Sequence, residues 1–241
     1  MTISGRTVRA FIRGQASATL LPERTYAELL QLIERNLGPT PGGTIAHLMS
    51  GFGHLSVRMA KGWGGRIVAI EPEDRVRAES ARRNPYSGVI YMSASGSRLP
   101  IQTNEASGIV AVWAGGRIRH LDDLALESAR VLHKGSRIVF LESRGSSGLR
   151  SPVVPAGGAF EMLSSTFFSD VREVFLKHAF EERSAVSGSI TIAEDEQQWQ
   201  QLANSLAAFQ LVPDQSAANP WPGFIKDFVE HIEVLCLEKN A

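Results

Sequence analysis

Apolar and polar positions alternate along the chain in two rhythms, one helical and one strand-like. Leu29, Leu30, Leu32, Ile33 and Leu37 recur at helical spacing and predict a helix over 21–37, with Pro22 acceptable in its first turn. Gly38-Pro39 and Pro41-Gly42-Gly43 end it. A short apolar strand follows over 44–49. Leu55, Val57, Met59 and Ala60 then belong to a helix that the glycines between 62 and 65 close. The same reasoning gives a buried strand over 66–70, a polar amphipathic helix over 73–83 and a third strand over 89–92. A fourth strand is predicted over 109–113, a helix over 124–132 and a fifth strand over 136–142. Strands alternating with helices predict an α/β fold: a mostly parallel sheet covered on both faces. Right-handed crossovers would bring the C-terminal ends of the strands to one rim, where ligands are expected.

Beyond Glu142 the pattern loosens. Residues 157–168 read as helix, 171–180 alternate as a strand, and "IEVLCL" over 232–237 reads as a final strand. Between them an insertion at about 183–228 holds "SGSITIAE", a helix over 194–209 and a Pro/Trp-rich turn around Trp221. The expected division is an N-terminal helical cap over 1–43 and one α/β domain over 44–241.

Composition narrows the classes of function. The 241 residues can bury one large core. Lys plus Arg (25) balance Asp plus Glu (25), so no global charge argues for nucleic acid or membrane. Cys236 is the single cysteine, which excludes an internal disulfide and a cysteine-cluster metal site and fits a reducing cytoplasm. No apolar run has the length to span a bilayer. The first residues carry arginines without acids but lack the apolar core of a secretory signal, so the expected location is cytoplasmic.

The candidate chemistry starts at Gly51-Phe52-Gly53, which opens a helix after a strand. Such a turn lets a backbone approach a ligand closely, though it also packs helix against strand with no ligand. Glu71 adds weight because it ends the second strand. A carboxylate there can accept both hydroxyls of a ribose. Alternatively, it caps the next helix in "EPEDRV", where its charge suits the helix dipole.

The run Ile45-Ala46-His47-Leu48-Met49-Ser50-Gly51-Phe52-Gly53 resembles the first motif of the class I S-adenosylmethionine methyltransferases, apolar-apolar-acid-apolar-Gly-x-Gly-x-Gly. "SRLPIQTNEASGIVAVWA" is similar to that family's "LPF…FDxVxxxxx" segment. "RHLDDLALESARVLHKGSRIVFLE" resembles its "HHLxDxxxxLxExxRVLKPGGxLxxxE" segment. The resemblance covers residues 21–142 and points to the ubiquinone/menaquinone-type and small-molecule branch. It implies a Rossmann-like, seven-stranded sheet whose last strand runs antiparallel between its neighbours. It also implies S-adenosylmethionine as cofactor, with His47, Met49, Ser50, Gly51, Gly53, Glu71, Pro72, Ser95 and Trp113 at the cofactor site.

The chain departs from the family pattern at identifiable places. His47, Ser95 and Ser107 stand where the family has acids, Met49 replaces a glycine, and Gly115-Gly116-Arg117 is inserted ahead of Ile118-Arg119-His120. His120 is the candidate catalytic base, being a rim residue of near-neutral chemistry, or else a loop histidine at a helix start. Trp113 could stack on a flat ligand or fill the core. Arg98, Arg117, Arg119 and Arg144 fall in loops after strand ends, where they could favour an anionic acceptor or simply be solvated. Tyr26 would lie on the helix that covers the cofactor in similar enzymes, or be ordinary packing. The remaining histidines lack ligand spacing, so no metal site is expected.

The expected function is methyl transfer to O, N or C of a small molecule by a monomer or homodimer. A non-catalytic or repurposed relative is the alternative, and a nicotinamide-dependent oxidoreductase a third. The acceptor pocket would be built by the N-terminal segment and the insertion.

Overall fold

A computed structural model describes residues 21–240 apart from 41, 116, 151–163 and 199–222. In chain order the elements are α1 (Glu23–Leu37), β1 (Thr44–Leu48), α2 (His54–Trp63), β2 (Arg66–Ile70), α3 (Asp74–Arg83), β3 (Val89–Met92) and β4 (Ala106–Val112). They continue with α4 (Leu121–Val131), β5 (Leu132–Arg150), α5 (Ser164–Phe175), β6 (Phe180–Ala193) and β7 (Gly223–Lys239).

The strands make one seven-stranded sheet in the order β3-β2-β1-β4-β5-β7-β6. The first five pair in parallel. Strand β7 runs antiparallel to both neighbours, with Phe140 opposite Leu235 on one side and Ala185 opposite Leu235 on the other. This is the expected arrangement. The chain moves outward from β1 through β2 to β3, then returns to lay β4 on the other side of β1. Loops leaving the C-terminal ends of β1 and β4 therefore diverge, which makes that part of the rim the natural crevice for a ligand.

Both faces of the sheet are covered. Tyr26, Leu29 and Ile33 of α1 and Leu55 and Met59 of α2 bury one face against Ile45, Val110, Val139 and Val234. Leu124 and Val131 of α4, with Phe168, Val171 and Phe175 of α5, bury the other against Leu48, Ile109, Phe140 and Leu235. Helix α1 is thus a core helix of the sheet face. Its Glu28 carboxylate accepts the Thr191 N–H of β6 at 2.7 Å, and its first turn reaches α2 through a Glu23–Arg58 ion pair.

Two expectations after Glu142 are corrected. The strand expected over 171–180 is instead the end of α5 over 171–175, followed by a turn over 176–179 and the first residue of β6, because Phe168, Val171 and Phe175 recur at helical spacing and all three are buried together. Residues 183–193, expected inside an insertion, belong to β6, whose Ile190 and Ile192 face the same core as α1. The other end of that expected insertion is strand as well, since β7 begins at Gly223. The N-terminal segment 1–20, most of the helix expected over 194–209 and the turn at Trp221 lie outside the described residues. Among the described residues no helix is long and apolar enough to cross a membrane.

Candidate cofactor site

The turn after β1 is built from unusual backbone. Met49 has φ +53° and Gly53 φ +79°, both left-handed. For Met49 that geometry costs about 1–2 kcal/mol relative to the right-handed region. Met49 stands where the resembled motif has glycine and keeps a glycine-like backbone. Ser50 donates its N–H to the Ile70 carbonyl at 3.0 Å and accepts the Gly53 N–H at 3.1 Å, so the turn is stitched to β2 and to itself.

His47, one turn-length earlier, is fully buried. Its Nδ1 lies 2.7 Å from Ser56 Oγ of α2, and its Nε2 has no partner. Burial alone pushes its pKa down to about 3, so the ring is neutral at physiological pH. The position of a family acid is therefore held by an uncharged group.

Glu71 directly follows β2 and has no solvent exposure at all. One carboxylate oxygen, Oε2, accepts the Gly51 N–H at 2.9 Å and an Arg117 Nη1 hydrogen bond at 3.0 Å. The other, Oε1, accepts the Glu73 N–H at 3.1 Å and the second nitrogen of the same Arg117 fork. Arg117 thus makes a bidentate ion pair across the end of β1, with Nη1 also 3.5 Å from the Met49 carbonyl. The carboxylate sits at the rim and also binds the backbone at the start of α3.

The outer side of the turn is occupied by protein groups. Ser80 Oγ donates to the Gly51 carbonyl at 2.7 Å, and Asn84 Nδ2 to the Phe52 carbonyl at 2.8 Å. The Tyr91 ring lies against Gly53, and its hydroxyl donates to the Asn84 carbonyl at 2.9 Å. Sequence reasoning missed Ser80, Asn84 and Tyr91, which carry no motif and come together only in the fold.

The other candidates are spread more widely. Pro72 is half-buried beside Glu71, and Ser50 is buried with an unpartnered hydroxyl. Ser95 is exposed and bonds Ser97 at 2.9 Å. Trp113 is buried in the α1-side core at φ +51°, with its indole N–H unpartnered; this is the packing reading. His120 is exposed at the N-cap of α4 without a side-chain cap bond. Ser107 is removed from the question: it lies at the entry of β4, where its Cβ would stand 2.6 Å from a side chain on Gly43, far along the strand from the rim. Arg98 and Arg119 are exposed, and the Arg144 side chain lies outside those described.

A second buried acid, Glu142 at the rim of β5, accepts the Gly115 N–H at 2.6 Å. The loop after β4 is consequently tied down twice, at Gly115 by Glu142 and at Arg117 by Glu71. A cavity of about 750 Å³ lies elsewhere, by the entry to β4, lined by Ser97, Arg98, Leu99, Glu127 and Arg130. Its Arg130 is committed to Glu127 and to the Leu99 and Ile101 carbonyls. Among the described residues no group of three or more His, Cys, Asp or Glu side chains could hold a metal ion.

Several solved structures have a similar fold. The geranyl diphosphate C-methyltransferase of Streptomyces coelicolor, solved with S-adenosyl-L-homocysteine, is 11% identical over 88% of this chain and 80% of its own, with a TM-score of 0.53. The phosphoethanolamine N-methyltransferase 2 of Haemonchus contortus, solved with S-adenosyl-L-methionine, is 11% identical over 89% of this chain and 53% of its own, at 0.54. This chain has the class I methyltransferase fold. The [4+2]-cyclase SpnF is also similar, at 17% identity over 89% of this chain and 81% of its own, with a TM-score of 0.58. No protein-family model and no curated protein matches the sequence.

Proposed function

We propose that the protein binds S-adenosylmethionine and transfers its methyl group to O, N or C of a small molecule. The observation that carries this is the Glu71 carboxylate, held at the C-terminal end of β2 against the Gly51 N–H. The residues fit a ribose diol at that carboxylate once Arg117 yields one edge of it. The unpartnered Ser50 hydroxyl, buried in the same turn, is a further polar group for a ligand there. When bound, S-adenosylmethionine supplies the methyl group together with a neutral sulfide as leaving group.

The chain's own part is to align and desolvate. Glu71 and the Gly51 turn orient the nucleoside, and the loop anchored by Glu142 on the Gly115 N–H covers it from the β4 side. A ring nitrogen of His120, exposed at the start of α4, takes a proton from an acceptor that must lose one. Arg119 beside it suits an acceptor bearing a carboxylate or phosphate. A cytoplasmic setting and a place in small-molecule metabolism go with this reading.

A second reading, a repurposed relative that performs no methyl transfer, has its own support. The Arg117 pair already satisfies Glu71, and His47 brings no charge to the site. Calorimetric titration with S-adenosylmethionine, S-adenosylhomocysteine and NAD(P), paired with a methyl-transfer assay over a panel of acceptors, separates the readings. Absence of S-adenosylmethionine binding at about millimolar concentration, the weak end of ordinary ligand affinity, hands the case to the second.

A further inference from the structure

We infer that Arg117 is a specificity residue of this site: its guanidinium stands in for a ribose diol on Glu71, and a nucleoside binds there only by displacing it. The inference rests on the nucleoside reading of Glu71 given above.

The hydrogen-bond geometry leads to it. A carboxylate has about four lone-pair directions. On Glu71 two are taken by the backbone N–H groups of Gly51 and Glu73, and the remaining two by the parallel N–H groups of Arg117. A vicinal diol presents the same thing as a guanidinium fork, two donors aimed at two oxygens of one carboxylate. The two cannot be held at once, because Glu71 is fully buried and offers no other face.

Arg117 has somewhere to go. Its side chain is 28% exposed, whereas that of Glu71 is 0% exposed. It lies in the divergent loop after β4 with glycines at 115 and 116, and the loop is anchored upstream by Glu142 on the Gly115 N–H. The side chain can leave for solvent while that anchor stays. The carboxylate cannot follow, because it is tied to the β1 and α3 backbones.

This makes the exchange selective. A cation alone gains nothing by approaching Glu71, since Arg117 already neutralises it. A ligand must replace two aligned donors, which favours a ribose with both hydroxyls free.

The test compares adenosine with 2′,3′-dideoxyadenosine on the full chain by calorimetric titration, for wild type, Arg117→Ala, Arg117→Lys and the double variant Arg117→Ala/Glu71→Gln. Removing the competitor raises the apparent affinity by the reciprocal of the open fraction. Arg117→Ala should therefore bind adenosine about tenfold or more tightly than wild type, with no gain for the dideoxy compound. The double variant should lose that gain. Arg117→Lys, which keeps the charge but not the fork, should fall between wild type and Arg117→Ala, and it carries the same test if the alanine variant does not fold. Equal or weaker adenosine binding in the variants overturns the inference, as does an equal gain for the dideoxy compound. S-adenosylhomocysteine, titrated in parallel, keeps the two proposals apart. A wild type that binds it while Arg117→Ala gains nothing leaves the cofactor reading standing without the competition. An adenosine gain without S-adenosylhomocysteine binding leaves the competition standing without that cofactor.

Discussion

The Tyr91 ring fills the space a side chain on Gly53 would need: a Cβ there would come within 2.6 Å of the ring carbon Cε1. Gly53 also holds φ +79°, which L-residues adopt only at a cost. The glycine of the turn is thus required by a neighbour in β3, independent of any ligand. Gly53→Ala should lower stability by more than the ~1–2 kcal/mol of the backbone term alone. In a double-mutant cycle Tyr91→Ala should recover the excess and leave the backbone term in place. Additive losses in chemical denaturation would mean that the ring yields freely.

The Glu71–Arg117 pair is asymmetric in burial, and its two halves should differ when removed. Arg117→Ala leaves a buried carboxylate with only two backbone donors, at a cost of about 1.5–3 kcal/mol. Glu71→Gln leaves a guanidinium that can reach water, so its loss should be smaller despite touching the same contact. Thermal melts of the two variants check the order. The reverse order would place the strain of the site on the arginine.

Much of this was legible in the sequence, for a physical reason. Strands β1, β2 and β4 and helices α1, α2 and α4 bury continuous faces, so their periodicity is set by local neighbours. The α5 segment was misread because "VREVFLKHAF" admits both periods: Val174, Leu176 and Phe180 fall on one strand face, while Phe168, Val171 and Phe175 share a helix face. At the site, Glu71 was visible from its place at a strand end. Its partner was not, since Arg117 lies 46 positions away and no spacing rule links them. The only trace was the inserted Gly-Gly-Arg. His47 was read as a lost acid, and the fold adds what no sequence states, that its Nδ1 belongs to Ser56.

His47 should leave a mark on the acid side of the stability profile. In the unfolded chain an imidazole takes a proton near pH 6.5, and in the fold only near 3. Between those values the unfolded state binds more protons. Stability is therefore full above about 6.5 and falls as the pH drops towards 3, by up to about 1.4 kcal/mol per pH unit. His47→Gln removes the titration, so its melting temperature should fall less steeply than that of wild type across this window. Parallel curves would show that the ring is protonated within the fold.

Trp113 carries a buried indole N–H with no partner, in a predominantly apolar core. Trp113→Phe gives up ring area but also the unsatisfied donor, and these oppose each other. Its net cost should stay below about 1.5 kcal/mol, as for other well-tolerated core swaps. Trp113→Ala opens a cavity and should cost about 3–5 kcal/mol. If phenylalanine costs as much as alanine in urea unfolding, the indole nitrogen has a function that packing does not describe.

The strand order has a consequence for how the molecule is assembled. Strand β7 lies between β5 and β6, and pairs such as Arg137 with Glu238 join residues about a hundred positions apart. During synthesis every strand up to β6 leaves the ribosome while β5 still has an open edge and β6 has no neighbour at all. Only arrival of β7 closes both gaps, in a single step that pays a long loop closure. A nascent or clipped chain ending before Gly223 would therefore present the open edge of β5, within the future sheet, and a β6 with no partner on either side. That intermediate is where pairing with other chains should begin, and where a chaperone would have most to cover.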